Sequence, residues 1–276
     1  MSELLQAFSY PFVFRALMVG SLVSLCAALL GVVLVLKRYS LIGHALADVG
    51  FASLTIGLAA GLSVFAFSMP VVVAASFAIM FVSQRYKARG DVAIGIASTG
   101  ALALGVVVAA RTTGFNVDVC SYMFGSILAM RPGDLYLSLG LAATVIALYV
   151  LFFNRLFLIA HDEDFARACG VNVSFHQFLL SFLTAITVVV GMRMMGTLLV
   201  SSLIIFPAVT ARRLTDTFKG MTIVAAATSV ACFAIGMLLS FFMDWPTGAS
   251  VVAVNVLAFI VAFVLTRILR WRTVHA

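Results

Sequence analysis

Nine runs of mostly apolar residues, each about the 20 residues a membrane-crossing helix needs, divide this chain. They lie near 12–36, 41–60, 64–83, 92–110, 135–153, 174–192, 194–211, 221–242 and 248–266. A helix of that length rises about 30 Å, the thickness of a bilayer's hydrocarbon layer. In hydrocarbon a backbone amide finds no water, so a spanning segment bonds within itself as a helix or sideways in a closed barrel. These runs are apolar throughout and do not alternate, which excludes the barrel. The predicted fold is an all-α polytopic membrane protein of about nine transmembrane helices, with a range of 8–10, in one domain over 1–276. The sixth and seventh runs are joined only by GMRMMG, which predicts an irregular or partly re-entrant junction.

Charge orients the runs. Of the 17 Lys and Arg, 13 fall in one set of loops: Lys37 and Arg38; Arg85, Lys87 and Arg89; Arg155 and Arg167; Arg212, Arg213 and Lys219; Arg267, Arg270 and Arg272. Basic residues favour the cytoplasmic side, so the N-terminus is expected outside and the C-terminus inside. The net charge of +7 comes from these scattered groups and gives no basic face for nucleic acid. Cys26, Cys120, Cys169 and Cys232 include no close pair, so neither a disulfide framework nor a zinc knuckle is expected. The first residues, MSELLQAFSYPF, have no basic segment ahead of the apolar run and do not read as a cleaved signal peptide.

Two loops are long. The one at 111–133, expected outside, mixes Gly, Asn and Asp with an apolar centre. The one at 154–173, expected inside, holds the acidic cluster Asp162-Glu163-Asp164. Acids suit the positive end of a helix dipole, Asp162 suits an N-cap, and Gly170 suits a C-cap, so a short amphipathic helix is predicted there.

The apolar run at 41–60 carries His44 and Asp48. No other run holds a His and an acid four residues apart. Residues at i and i+4 share a helix face, imidazole and carboxylate both ligate zinc and manganese, and an ionisable side chain inside a span faces a cavity or a partner by default. They are the candidate metal-pathway residues. Ser201, Ser202, Pro207 and Asn255 are weaker candidates for lining the pathway. Hydroxyls in spans often bond back to the backbone, and Pro207 is expected to break its span and free carbonyls.

Several stretches resemble the zinc and manganese uptake permeases of bacterial ABC importers. They are RYSLIGHALADVGFASLTIG (38–57), DVAIGIASTGALALGV (91–106), YMFGSILAM (122–130), GTLLVSSLIIFPAVTARRLTD (196–216) and PTGASVVAVN (246–255). Asp164 to Gly170 resembles the Glu-Ala-Ala-x-x-x-Gly coupling loop, with Ala166 and Gly170 on its small positions. The resemblance runs through most of the chain in order. It implies a fold of the cobalamin and metal-chelate permease type, in the bacterial cytoplasmic membrane. It also implies a permease homodimer, a cytoplasmic ABC ATPase dimer and an extracellular or periplasmic metal-binding protein. Asp162, Glu163, Asp164, Ala166 and Gly170 would form the ATPase coupling helix. The cargo would be a divalent zinc, manganese or iron ion, with no permanently bound cofactor. The family usually places Asp first and His four residues later; here the order is reversed. The chain has no Gly-x-x-x-x-Gly-Lys-Ser/Thr phosphate loop, so ATPase activity is expected on a partner and not on this chain. The alternatives are a permease for metal chelates such as siderophores or cobalamin, a secondary carrier independent of ATP, and an intramembrane enzyme, against which stands the lack of a His-Glu-x-x-His set.

Overall fold

The structure, a computed structural model, describes residues 11–85, 90–111 and 132–275. Most of the expected outer loop, including YMFGSILAM, lies outside the described residues, as do Lys87 and Arg89. The described residues form eleven helices and no strand: α1 Pro11–Leu36, α2 Leu41–Ala59, α3 Val64–Arg85, α4 Gly90–Arg111, α5 Pro132–Leu151, α6 Phe153–His161, α7 Glu163–Ala168, α8 Val173–Met195, α9 Thr197–Leu214, α10 Phe218–Met243 and α11 Thr247–His275.

Eight of these are long and apolar enough to cross a membrane, and the bent pair α5–α6 supplies a ninth. The nine expected runs are therefore met, with one correction. The fifth run ends at Leu151, and the chain turns through 69° into α6, most of which falls in the long loop expected at 154–173. Leu156 and Ile159 of α6 are buried while Asn154, Arg155 and His161 are exposed. That two-sided pattern gives α6 one face on the protein and one face off it.

α1, α2, α8 and α9 make the core, most of their residues being buried, while α3, α4, α10 and α11 surround them with only a minority buried. The outward residues are apolar, among them Ile96 and Leu104 on α4, Ile223 on α10 and Leu257 on α11. Such surface on spanning helices is suited to lipid, which needs no polar groups to meet it.

Without a hydrophobic drive between helices in lipid, close packing at small residues holds a bundle together. Among the described glycines, the closest approach to another helix's backbone joins α1 and α9. A Cβ at Gly31 would stand 2.0 Å from the Ile204 carbonyl oxygen, which is backbone and has no side-chain rotamer to yield. Gly31→Ala is expected to force the two core helices apart at about 1–3 kcal/mol or more. It should lower the melting temperature and the monodisperse yield in detergent. Gly140→Ala, where a Cβ meets nothing within 4 Å, should change neither.

α8 and α9 are separated by Gly196 alone, at φ +87° and ψ 160°, a conformation that costs residues other than glycine. The junction is buried, and Met192, Met194 and Met195 fill the space around it. The expected irregular link is thus a one-residue break inside the protein. Pro207 does not break α9 as expected. The helix runs unbroken from Thr197 to Leu214, and around Pro207 it is held by Ala208 and Ala211 packing on Ala28, Val32 and Val35 of α1.

Three of the basic loops meet at one end of the bundle. Leu36 of α1, Phe157 and His161 of α6, Arg212 of α9 and Phe218 of α10 line one cleft of about 250 Å³. Arg193, assigned to the opposite side, stands at the other end of α8, 5.7 Å from the Phe65 ring at the start of α3.

Candidate functional site

α2 begins at Leu41, not at the basic pair Lys37-Arg38. Arg38 has φ +62° and belongs to the turn between spans. His44 and Asp48 therefore lie about 5 and 11 Å along α2 at 1.5 Å per residue, shallower than a helix starting at the basic pair would put them. Asp48 is buried at 7% exposure. Its Oδ2 accepts a hydrogen bond from the Ser98 hydroxyl of α4, and the His44 Nε2 stands 3.7 Å from the same oxygen. The His44 side chain is 53% exposed, so the pair opens to one side.

This geometry suits passage of an ion. Nitrogen and oxygen atoms about 2.0–2.2 Å from one metal stand roughly 3–4 Å apart, and the His44–Asp48 separation falls in that range. Among the described residues, no three His, Cys, Asp or Glu side chains form a metal cluster. One chain thus offers an imidazole and a carboxylate, with Ser98 orienting the carboxylate, and the other positions around an ion fall to water or to a partner. A site this incomplete releases an ion more readily than a closed four-ligand cage.

The weaker polar candidates bond within their own helices. Ser201 and Ser202 donate to the carbonyls of Leu198 and Leu199 at 3.0 and 2.8 Å, and the Asn255 amide donates to Val251 at 2.9 Å. All three turn back onto their own helices. Sequence reasoning missed Ser98, whose role depends on α2 and α4 lying side by side. It also passed over His176 and Gln177, buried at the start of α8. His176 Nδ1 lies 2.8 Å from the Asn172 carbonyl, and its ring meets Phe152 edge-on at 5.0 Å, a packing role at the α5–α6 bend.

The acidic segment forms α7 as the capping residues predict. The Asp162 carboxylate accepts from the amides of Asp164 and Phe165 at 2.9 and 3.0 Å. At the other end Gly170 adopts φ +78°. Its amide donates to Arg167, and that of Val171 donates to Ala166, both at 3.0 Å. This is the paired closure of a Schellman motif, which places glycine at the left-handed position. Ala166 is fully buried against Ile159 and Val173. Its smallness seats α7 on the protein instead of facing outward. Asp164, Phe165, Arg167, Ala168, Cys169 and Gly170 are exposed.

Glu163 ties this knob to the spans. It pairs with Lys37 at the end of α1, accepts from the Gln177 amide of α8 at 2.6 Å, and has Arg167 at 3.9 Å. The Lys37 side chain is only 4% exposed and lies 5.6 Å from the Tyr39 ring. Burial, and then the negative charge of Glu163, pushes the Tyr39 phenol above its ordinary pKa. Three elements meet at one carboxylate, so a displacement of α7 reaches α1 and α8 through a charged contact.

The family model described as ABC 3 transport family matches residues 9–266. The chain is 32% identical to "Manganese transport system membrane protein MntC" of Halalkalibacterium halodurans, over 94% of this chain and 88% of that one. It is 28% identical to "High-affinity zinc uptake system membrane protein ZnuB" of Haemophilus influenzae, over 92% of this chain and 97% of that one. Among solved structures it superposes with a TM-score of 0.83 and 26% identity on a chain of "PsaBC from Streptococcus pneumoniae in complex with Fab", covering 95% of each.

Proposed function

The chain belongs to the ABC 3 transport family, and from that premise we propose that it carries bare divalent transition-metal ions inward past His44 and Asp48. It is the membrane permease of an ATP-driven metal importer, a multi-pass protein of the cytoplasmic membrane. The observation that carries the path is the buried Asp48 carboxylate, held by Ser98 and facing His44 at 3.7 Å. Manganese and zinc are the cargo we favour, because the ligand pair combines a borderline nitrogen with a hard oxygen and the relatives include a manganese and a zinc permease.

The whole chain acts as one permease domain in this reading, with its basic end in the cytoplasm and its N-terminus outside. Two copies pair with two cytoplasmic ATPase subunits. An external binding protein delivers the ion at the opposite end, near 111–133. α6 and α7, within 154–173, make the coupling element, with Asp162 and Gly170 shaping α7, Ala166 seating it, and Asp164 beside the contact surface. Closure of the ATPase dimer shifts α7, Glu163 passes the shift to α1 and α8, and the spans rock about the His44–Asp48 station.

Phe165 is the side chain on α7 best suited to a pocket in the ATPase, being aromatic and 55% exposed. Phe165→Ala is expected to reduce co-purification of the ATPase and to lower uptake several-fold, while membrane insertion stays normal. Whole-cell uptake of radiolabelled manganese and zinc, offered bare and as preformed siderophore-type chelates, tests the cargo. Accumulation of the bare ions that stops when the partner ATPase is deleted supports the reading. Accumulation of chelate alone, or uptake that survives the deletion, rejects it.

A further inference from the structure

A cationic cleft between α9 and α11 stands apart from both the metal pair and the coupling helix. Its volume is about 650 Å³, and it is lined by Val209, Arg212, Arg213, Phe263, Thr266 and Arg267. Among the described residues the lining brings three guanidinium groups and no carboxylate. Arg212, Arg213 and Arg267 are exposed, and among the described residues the ion pairs within 4.0 Å involve other side chains. The neighbouring 250 Å³ cleft shares Arg212 and contains Asp216, so the acid lies to one side of the arginines.

The apolar part of the cleft has a direction. The Arg213 guanidinium lies 5.0 Å from the Phe263 ring. Phe263 continues into Phe259 and then Phe206, each ring centroid 6.5 Å from the next. Beside them α11 exposes Leu257, Ile260, Val261 and Val264. A charged mouth at the end of two spanning helices thus continues into an exposed apolar surface along one of them. The matching ligand has a compact anionic head and a long apolar body. Guanidinium groups recognise phosphate through forked hydrogen bonds, and basic pockets between spans at the cytoplasmic side are suited to anionic headgroups.

We propose that this cleft binds the phosphate headgroup of an anionic phospholipid, with the acyl chains along the Phe206–Phe259–Phe263 side of α9 and α11. The inference rests on the chain's place in the membrane and not on its cargo. A failed uptake assay leaves it standing, and a failed lipid test leaves the metal reading intact.

The test is native mass spectrometry of the full chain in mild detergent with phosphatidylglycerol or phosphatidylcholine added at matched concentrations. Phosphatidylglycerol should be retained about fivefold or more over phosphatidylcholine. Arg213→Gln with Arg267→Gln should abolish that preference, and Arg213→Lys with Arg267→Lys should restore part of it. Melting temperatures close to wild type in both double variants exclude misfolding as the cause. Excess inorganic phosphate should leave retention unchanged. Equal retention of the two lipids, or a preference unaltered by the glutamine pair, overturns the proposal. So does displacement by inorganic phosphate, which makes the cleft a free-anion site. Loss of ATPase binding in the glutamine pair with lipid retention unchanged also overturns it, and assigns the arginines to a protein contact.

Discussion

Asp48→Ala lowers manganese or zinc uptake about tenfold to a hundredfold or more on this account, since loss of even an outer-shell partner of a metal ligand costs about that much. The change removes a charged oxygen ligand, leaving Ser98 without its acceptor and His44 without the carboxylate beside it. Asp48→Asn separates charge from shape, because the amide keeps an oxygen toward Ser98 and loses the negative charge. It should transport nearly as poorly as Asp48→Ala. His44→Ala should be milder, because the ring is more than half exposed and water can take its place around an ion. Ser98→Ala should be milder again and should raise the metal concentration needed for half-maximal uptake more than it lowers the maximum. Protein levels in the membrane must match wild type in every case. Normal uptake by both Asp48 variants would remove α2 from the ion's path.

The second large effect belongs to Glu163. Glu163→Ala takes the carboxylate from Lys37, whose side chain is nearly fully buried, and leaves the Gln177 amide without its acceptor. Breaking a buried ion pair from one side costs about 3–5 kcal/mol. Glu163 is itself a quarter exposed, so the lower end of that range applies here. The melting temperature should fall, and the ATP hydrolysed per ion moved should rise several-fold, because α7 is no longer fastened to α1 and α8. Lys37→Met with Glu163→Leu replaces the pair by apolar groups. It should recover much of the melting temperature and none of the coupling. If the double variant transports with wild-type efficiency, the pair is structural only and coupling travels another way.

What the sequence disclosed follows from the reach of the forces involved. Span lengths are set by the bilayer, so the runs could be counted without knowing their neighbours. α7 was legible because Asp162 and Gly170 act within a few residues of themselves. The bend at Phe152 was not, because α6 shows its two-sided character only beside the surface that buries Leu156 and Ile159. His44 and Asp48 were found together because one helix face holds both. Ser98 is 50 residues away in the chain from Asp48, and no local pattern announces that contact. Lys37 and Glu163 were each noted, one as a topological marker and the other as a helix-start acid, yet their pairing needs α7 folded back onto the end of α1. Pro207 was misjudged because the rule against proline in helices weighs a lost hydrogen bond and omits the packing of Ala208 and Ala211 that keeps α9 whole.

In the reading proposed above, this chain moves a bare metal ion at the expense of ATP, through the Asp48 station. The most direct measurement is accumulation of radiolabelled manganese or zinc in sealed vesicles containing the purified permease, its ATPase and the external binding protein, with ATP supplied on the ATPase side. On that reading, accumulation against a gradient should require ATP, stop with a hydrolysis-deficient ATPase, and fall to near background with Asp48→Asn while ATP hydrolysis continues. Accumulation without ATP, or ATP-driven accumulation at the wild-type rate with Asp48→Asn, would contradict it.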